Sequence, residues 1–390
     1  MKICRVATVP FLFTHHLKSQ IEDLVSAGHD VYLVSSAVSD FGELLEADLT
    51  IKGVSVHSIE IPRQISLLAD VQALIKLYQY FRVNQFDVVH SVTSKAGLLC
   101  ALAAIAAGIP IRMHTFAGQP WADLLGPVRW IAKASDWIIV RLNTQSYADS
   151  ASQRDLLIFE GIAKKNQIKV LGLGSIAGVD LQRFNLKNFQ KIELRKNLGI
   201  SADAIVIVFI GRLTHEKGIA ELVMAFKALI EYKIQDLHLI LVGPDEIKAV
   251  LPLLVTQYIG ECNNIHKIGY DQCPEMYLAM SDIFCLPSYR EGFGSVVIEA
   301  ASMGLPTVAT RVVGLVDAVV ENETGLLVSK KNVNELTKAL HLLIKDPNLR
   351  NRLASAANKR AVECYGSSFI NGLMIKEYED KFVKKIQNLN

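Results

Sequence analysis

The stretch that decides the fold reads Tyr289-Arg290-Glu291-Gly292-Phe293-Gly294-Ser295-Val296-Val297-Ile298-Glu299. An apolar run, Ile283 to Leu286, precedes it, and Gly304 ends the short helical pattern that follows it. The pattern predicts a strand, then a loop with two glycines, then a helix that begins near Ser295. Such a junction places the N-terminal end of a helix next to the end of a strand.

A helix start of this kind can bind an anion. Free backbone N–H groups and the positive end of the helix dipole can hold a phosphate, and Gly292 and Gly294 let the backbone come close to it. Glu291 and Glu299 would repel a phosphate, so their natural partners are hydroxyl groups, which donate hydrogen bonds to carboxylates. A nucleotide-sugar offers both, because its diphosphate lies between two hydroxyl-rich rings. The alternative is an ordinary surface loop with two solvated glutamates.

Length, charge and cysteine content narrow the function classes. The 390 residues favour about two domains, and a formal net charge of +2 gives no support to nucleic-acid binding. The six cysteines are scattered without a C-x-x-C pair, which predicts reduced thiols in a cytoplasmic protein. Arg5 interrupts the first apolar run, so no signal peptide is expected. The longest mostly apolar segment, Gly97 to Ile111, is too short to cross a bilayer, so any membrane contact should be peripheral.

Strand-like and helical patterns alternate along the whole chain. The alternation predicts an α/β protein with two doubly wound domains, each a parallel sheet covered by helices on both faces. We expect the domains at 1–172 and 188–366, joined by a segment rich in small residues at 173–187. A last helical pattern, at 367–390, is a candidate to fold back over the first domain.

A second loop in the predicted second domain carries two cations. It reads Gly211-Arg212-Leu213-Thr214-His215-Glu216-Lys217-Gly218 and follows a strand that ends at Ile210. In a parallel sheet Arg212 and Lys217 then lie at the carboxyl edge, on the same side as the first loop. Their charges can offset a diphosphate without a metal, and the sequence contains neither an Asp-x-Asp pair nor a Walker A motif. An ordinary solvated turn is the alternative.

The two loops together resemble family 4 of the retaining glycosyltransferases. The resemblance rests on Gly211-Arg212-Leu213…Lys217-Gly218 and on two glutamates with seven residues between them, Glu291 and Glu299. It extends to Gly28-His29-Asp30-Val31 and to Gly178-Val179-Asp180…Arg183-Phe184. It implies the GT-B fold, in which two Rossmann-like domains face each other across a cleft.

The resemblance also implies roles for individual residues. Arg212 and Lys217 would bind the diphosphate of a nucleotide-sugar donor. Glu291 would contact the sugar, and Glu299 would hold the ribose hydroxyls. Other donor contacts would come from Gly211, Tyr270, Gly292, Phe293, Gly294 and Ser295. By the same resemblance the acceptor attacks the face that the phosphate leaves, with no metal or other cofactor.

One position departs from the family pattern. Relatives carry a histidine in a Thr-x-His-Gly context, whereas this chain has Ala117 in Thr115-Phe116-Ala117-Gly118. His114 lies nearby and is a candidate catalytic replacement, although strand alternation turns it away from position 117 unless the strand ends there. The alternative is a core or structural histidine.

The stretch 121–141 contains every tryptophan of the chain together with three cations. These residues are Trp121, Arg129, Trp130, Lys133, Trp137 and Arg141. Tryptophan and basic side chains together suit a membrane interface. The stretch lies in the first domain, where GT-B enzymes take their acceptor. The alternative is a buried helix whose cations extend to solvent.

The sequence therefore predicts a retaining, metal-independent glycosyltransferase of the hexosyltransferase type that uses a UDP-sugar, with an N-acetylated hexosamine as one candidate. The stretches 115–121 and 152–155 resemble enzymes of bacterial surface polysaccharides, which implies a glycan or a polyprenyl-diphosphate-linked sugar as acceptor. The expected location is the cytoplasm, at the inner face of the cell membrane. Two alternatives keep the same fold: a nucleotide-sugar epimerase or hydrolase, and a non-catalytic nucleotide-sugar-binding protein.

Overall fold

The computed structural model of the protein describes residues 1–37, 51–62, 66–232, 236–244 and 251–387. The chain forms two compact units. One consists of Met1–Gly178 with Ser367–Asn390, and the other of Val179–Gly366. The chain therefore enters the second unit just after Gly178, within the segment expected to connect the domains, and its last helix belongs to the first unit.

A parallel sheet forms the centre of the first unit. Its described strands are β1 Lys2–Val6, β2 Asp30–Ser35, β3 Val54–Ser58, β4 Val88–Val92, β5 Ile111–Phe116, β6 Gln145–Ala148 and β7 Ile168–Val170. They lie in the order β3-β2-β1-β4-β5-β6-β7, and each pairing is parallel. The chain starts in the middle of the sheet, winds to one edge and returns to the other side of β1. The strand order therefore reverses between β1 and β4.

Helices between these strands cover the sheet. They are α1 Lys18–Ser26, α2 Leu67–Asn84, α3 Ser94–Ala106, α4 Gly126–Leu142 and α5 Ala151–Phe159. Each buries an apolar stripe: in α2 the buried residues Ala73, Leu77 and Phe81 recur at a spacing of four, which places them on one face of the helix.

The second unit repeats this winding. Its described strands are β8 Ile205–Ile210, β9 Leu237–Val242, β10 Ile265–Ile268, β11 Ile283–Leu286, β12 Thr307–Thr310 and β13 Gly325–Val328. They lie in the order β10-β9-β8-β11-β12-β13, and every pairing is parallel. Here the order reverses between β8 and β11, and β11 occupies the residues that the sequence predicted. Both units are doubly wound α/β structures, so the predicted fold class is confirmed.

Two helices of the second unit begin with a side-chain cap. The described helices of this unit are α6 Lys191–Asn197, α7 Ile219–Glu231, α8 Leu253–Glu261, α9 Pro274–Ala279, α10 Ser295–Ser302, α11 Leu315–Ala318, α12 Val333–Lys345 and α13 Pro347–Tyr365. Asn332 caps α12 by accepting a hydrogen bond from the Glu335 N–H at 3.0 Å. Asp346 caps α13 by accepting from the Leu349 N–H at 2.9 Å, and Pro347 follows at the first helical position.

The last helix, α14 Ser367–Gln387, packs on α1 within the first unit. It buries Tyr378, whose hydroxyl accepts a hydrogen bond from Arg5 Nη1 at 3.0 Å and lies 2.6 Å from His90 Nδ1. Asn371 of the same helix donates to Asp23 of α1 at 2.8 Å. Polar contacts therefore fix the position of α14 on the sheet and on α1 in addition to apolar packing.

Candidate functional site

The two loops predicted from the sequence meet at the carboxyl edge of the second sheet. Loop 211–218 follows β8 and loop 287–294 follows β11, and these two strands are neighbours. The loops contact each other directly, because the Tyr289 N–H donates to the Glu216 carbonyl at 2.8 Å. They therefore meet where the strand order reverses, which is where doubly wound sheets bind their ligands.

One glycine allows this close approach, and a second precedes α10. Gly218 has φ 71°, and a Cβ atom there would lie 2.1 Å from the Pro287 carbonyl oxygen, so any other residue would push the two loops apart. Gly294 has φ 91° and is the N-cap residue of α10. The helix begins at Ser295, as predicted. Because Gly294 has no side chain, nothing of its own caps the first turn, and the positive end of α10 faces the loop.

An ion pair joins the two loops across this site. Lys217 Nζ lies 2.5 Å from Glu291 Oε1. Lys217 ends a short 3₁₀ turn, His215–Lys217, and Glu291 lies in the loop before α10. The two side chains are only 20% and 14% exposed. The structure thus brings together the cation predicted to bind a phosphate and the carboxylate predicted to contact a sugar.

A second charged cluster lies beside this pair. Glu216 accepts from Arg212 Nη2 at 3.0 Å and from Arg290 Nη2 at 2.7 Å, one guanidinium on each carboxylate oxygen. Burial acts to raise the pKa of Glu216, but Arg290, Arg212 and Lys217 together hold it below its ordinary value. Sequence reasoning missed Arg290 and Glu216 as site residues. Their position inside the two quoted loops was the signal that could have identified them.

Glu299 lies apart from these cations, one turn into α10. Its side chain is partly buried, and burial raises its pKa to about 7; Arg183 opposes this rise and Glu275 adds to it. Arg183 Nη2 itself lies 2.7 Å from Glu275 Oε2 of α9. Glu299 therefore takes up or loses a proton near neutral pH, and its ionised form is a strong hydrogen-bond acceptor.

The other predicted contact residues line the same edge. Tyr270 follows β10 and is 36% exposed, so its ring can reach a ligand. Phe293 is buried, its ring centroid lies 5.3 Å from that of Tyr365, and only its backbone faces the loop. Gly292 and Ser295 flank it at the start of α10. Gly211 opens the other loop, where its N–H donates to the Val242 carbonyl at 2.9 Å.

This set of groups suits one kind of ligand. Three cations and a helix start can surround a diphosphate, and carboxylates on either side can accept hydrogen bonds from hydroxyls. Within the described ranges, no group of three or more histidine, cysteine, aspartate or glutamate side chains is placed to hold a metal ion.

His114 occupies a different environment in the first unit. It is fully buried, with Nδ1 2.9 Å from the Ser91 hydroxyl and its ring packed edge-on against Phe116. Burial lowers its pKa to about 3, so the ring is neutral. Strand β5 ends at Phe116, which leaves Ala117 outside it. This environment is that of a core histidine, the alternative that the sequence left open. The catalytic role of His114 stays a prediction.

The stretch 121–141 divides between core and surface. Trp121 is 1% exposed, and its indole N–H donates to buried Asp136 at 2.6 Å, whereas Trp130 and Trp137 are 69% and 45% exposed. Arg129 and Lys133 both pair with Glu160, at 2.9 and 2.5 Å. Two of the three tryptophans thus face outward, and one carboxylate partly offsets the basic charge. No helix in the described parts of the chain is both long enough and apolar enough to cross a bilayer.

Each of the two units matches a model of a known protein family. A family model described as glycosyl transferases group 1 matches residues 190–360, and one described as glycosyl transferase 4-like domain matches residues 14–174. The first match contains both loops of the site.

Individual relatives align over most of the chain. The capsular polysaccharide biosynthesis glycosyltransferase CapM of Staphylococcus aureus is 31% identical over 354 residues, 91% of this chain and 90% of CapM. The UDP-Gal:alpha-D-GlcNAc-diphosphoundecaprenol alpha-1,3-galactosyltransferase of Escherichia coli is 28% identical, over 78% of this chain and 81% of that enzyme. Among solved structures, Anabaena HepE in complex with UDP and glucose superposes with a TM-score of 0.77 at 22% identity, over 97% of this chain and all of HepE. That similarity shows the shared fold.

Proposed function

The chain belongs to family 4 of the glycosyltransferases, and from this premise we propose that it moves a sugar from a UDP-sugar to a glycan or lipid-diphosphate-linked acceptor in bacterial polysaccharide assembly. An N-acetylated hexosamine is one candidate sugar. The observation that carries the proposal is the Lys217–Glu291 contact, 2.5 Å long, beside the start of α10. In this proposal the lysine binds the diphosphate and the neighbouring glutamate accepts hydrogen bonds from sugar hydroxyls.

The proposed transfer retains the configuration of the sugar. The acceptor oxygen forms its bond to the anomeric carbon on the face from which the diphosphate leaves, and the acceptor proton passes to the departing phosphate oxygen. Negative charge grows on the diphosphate as its bond to the sugar breaks. Lys217, Arg212 and the N–H groups at the start of α10 would stabilise that charge, which is the largest contribution that such a preformed site can make.

The same cations support a reaction without a divalent metal. Arg212, Lys217 and Arg290 converge on the site, and two carboxylates already hold them in place. We expect activity to survive extensive treatment with EDTA. Loss of activity that only added Mg²⁺ or Mn²⁺ restores would contradict this part of the proposal.

The relatives support the choice of donor and acceptor. The Staphylococcus aureus relative is named for capsular polysaccharide biosynthesis, and the name of the Escherichia coli relative gives a UDP-sugar donor and a lipid-diphosphate acceptor. A lipid-linked acceptor would place this protein in the cytoplasm at the inner face of the cell membrane.

Exposed apolar side chains on the first unit support a peripheral membrane contact. Helix α3 packs between α2 and α4. The first turn of α2 exposes Leu67 and Leu68 by 79% and 83%, and the chain at the start of α4 exposes Leu125, Trp130 and Ile131 by 86%, 69% and 62%. Because both helices follow strands of one parallel sheet, their N-terminal ends lie at the same edge.

A flotation assay tests the membrane contact. We expect the wild-type protein to float with vesicles that contain anionic lipids, and the variant Trp130→Ser with Ile131→Ser to float less. Leu253→Ser, which removes an apolar side chain that is 86% exposed on the second unit, is the control. Unchanged flotation of the double variant would place any membrane contact elsewhere.

A donor panel tests the central proposal. The purified protein is mixed with a set of nucleotide-sugars, with and without lipid extract, and the products are identified by mass spectrometry. The proposal expects a sugar to appear on an acceptor from the extract. Turnover of the donor without acceptor would favour an epimerase or hydrolase, and binding without turnover would favour a non-catalytic binding protein.

A further inference from the structure

The ion pair between Lys217 and Glu291 joins two groups that the proposed function assigns to different parts of the donor. The lysine would bind the diphosphate, and the glutamate would bind the sugar. In the structure each is the partner of the other, at 2.5 Å. Resting on the proposed function, we propose that this pair makes the site select the intact nucleotide-sugar over its product, the free nucleoside diphosphate.

The selection follows from the burial of Glu291. A diphosphate that draws Lys217 toward itself leaves behind a carboxylate that is only 14% exposed. A buried charge that loses its partner destabilises the complex, because neither protein nor water replaces the lost interaction fully. The sugar of the intact donor supplies hydroxyl groups that donate to Glu291. The free nucleoside diphosphate keeps its ribose but lacks the transferred sugar, so only the product leaves this carboxylate without a partner.

The neighbouring cations contact a different carboxylate. Arg290 precedes Glu291 in the chain, but its Nη2 already donates to Glu216 at 2.7 Å. Arg212 donates to the same carboxylate at 3.0 Å. Both guanidinium groups are thus already held by Glu216. The Lys217–Glu291 pair therefore couples the two halves of the donor, whereas the Glu216 cluster contains no carboxylate assigned to the sugar.

Calorimetric titration with UDP tests this coupling. Glu291→Gln keeps the shape of the side chain and removes its charge, so Lys217 no longer leaves an ionised partner when UDP binds. We expect the variant to bind UDP about tenfold more tightly than the wild type, the factor that corresponds to about 1.4 kcal/mol. The UDP-sugar identified in the donor panel should bind more weakly to the variant, since a neutral amide is a poorer acceptor for hydroxyls. The preference for donor over product should therefore shrink.

Glu216→Gln is the matched control. It also removes one negative charge next to the site, so it should change the affinities for UDP and for the UDP-sugar by similar factors and leave their ratio intact. A Glu291→Gln variant that binds UDP as the wild type does, or more weakly, would overturn the inference. So would a Glu216→Gln variant that shifts the ratio equally. Sugar transfer by the wild-type protein is measured separately, so failure of the coupling is distinguishable from failure of the proposed function.

Discussion

The two units wind in the same way but differ in chemistry where their strand order reverses. Between β1 and β4 the site of reversal holds two hydroxyl groups, with Thr8 Oγ1 and Thr93 Oγ1 2.6 Å apart. Between β8 and β11 the equivalent place holds cations and carboxylates, among them the pair of Lys217 and Glu291. The topology provides an edge in both units, and the loop side chains decide what that edge can bind.

The two units also differ in the residue that precedes the helix at this edge. Thr93 is the N-cap of α3 and has φ 74°, an unusual conformation for a β-branched residue. Gly294 is the N-cap of α10 and has φ 91°. Both helices thus begin from a left-handed backbone. In the first unit a side chain occupies the position and bonds to Thr8. In the second unit a Cβ atom on Gly294 would lie 2.7 Å from the Leu315 side chain, so glycine lets α10 begin against α11.

The largest effect is expected from Lys217→Ala. Removing a cation that acts on the departing diphosphate should lower turnover by about a hundred- to a thousand-fold, while binding of the free nucleoside changes little. Steady-state rates with the donor identified by mass spectrometry measure the loss. Lys227→Ala is the control, since this lysine of α7 lies over the Tyr258 ring of α8. Wild-type turnover in Lys217→Ala would mean that Lys217 does not act on the departing diphosphate. The cations of the second unit would then not distinguish its sheet edge from that of the first unit.

Glu299→Gln should have an intermediate effect. An amide accepts hydrogen bonds from ribose hydroxyls less strongly than a carboxylate does, so UDP and the UDP-sugar should both bind about tenfold more weakly, a loss of about 1.4 kcal/mol. An equal loss of affinity for both ligands distinguishes Glu299 from Glu291. Substitution of Glu291 should strengthen the binding of UDP and weaken that of the UDP-sugar. Unequal losses in calorimetric titrations would contradict the assignment of Glu299 to the ribose.

The pH dependence of the wild type provides a second test of Glu299. Its pKa is raised to about 7, so the carboxylate becomes protonated as the pH falls through neutrality and its acceptor strength is lost. UDP affinity should therefore fall from about pH 8 to about pH 6, and the slope should flatten in Glu299→Gln. A slope that the substitution leaves unchanged would mean that another group controls this dependence.

The smallest effect is expected in the first unit. Thr8→Val removes the hydrogen bond to Thr93 and should lower the free energy of unfolding by about 1 kcal/mol, without altering UDP affinity. Chemical denaturation and UDP titration measure the two quantities, and Thr8→Ser, which keeps the hydroxyl, is the control. Weaker UDP binding in Thr8→Val would mean that this edge also takes part in donor binding.

The sequence predicted the elements better than it predicted the contacts of their side chains. Alternating apolar runs were sufficient for the doubly wound fold, and the glycine pattern located the start of α10 at Ser295. The pairing of Lys217 with Glu291 depends on how two loops 74 residues apart meet, which no local pattern encodes. Burial also raises the pKa of Glu299, and His114 is fully buried. Both follow from packing by distant parts of the unit, which a local sequence pattern does not show.

Packing also decides which tryptophans of the stretch 121–141 are buried and which are exposed. Trp121 and Trp130 belong to the same basic, aromatic pattern, yet the first lies in the core and the second faces outward. The exposed leucines at the start of α2 lie about sixty residues earlier in the chain, so they formed no part of that pattern. Their place at the same sheet edge as the start of α4 follows from the sheet order, which a one-dimensional pattern does not specify.

Amide hydrogen exchange with and without UDP tests the central claim most directly, because it compares the two edges in one experiment. The account predicts that saturating UDP slows exchange in 211–218 and 291–297, where backbone N–H groups and Lys217 meet the diphosphate, and leaves 7–10 and 93–97 unchanged. Exchange at the ligand-free rate in 211–218 and 291–297, or protection confined to the first unit, would contradict the assignment of the donor site to the second unit.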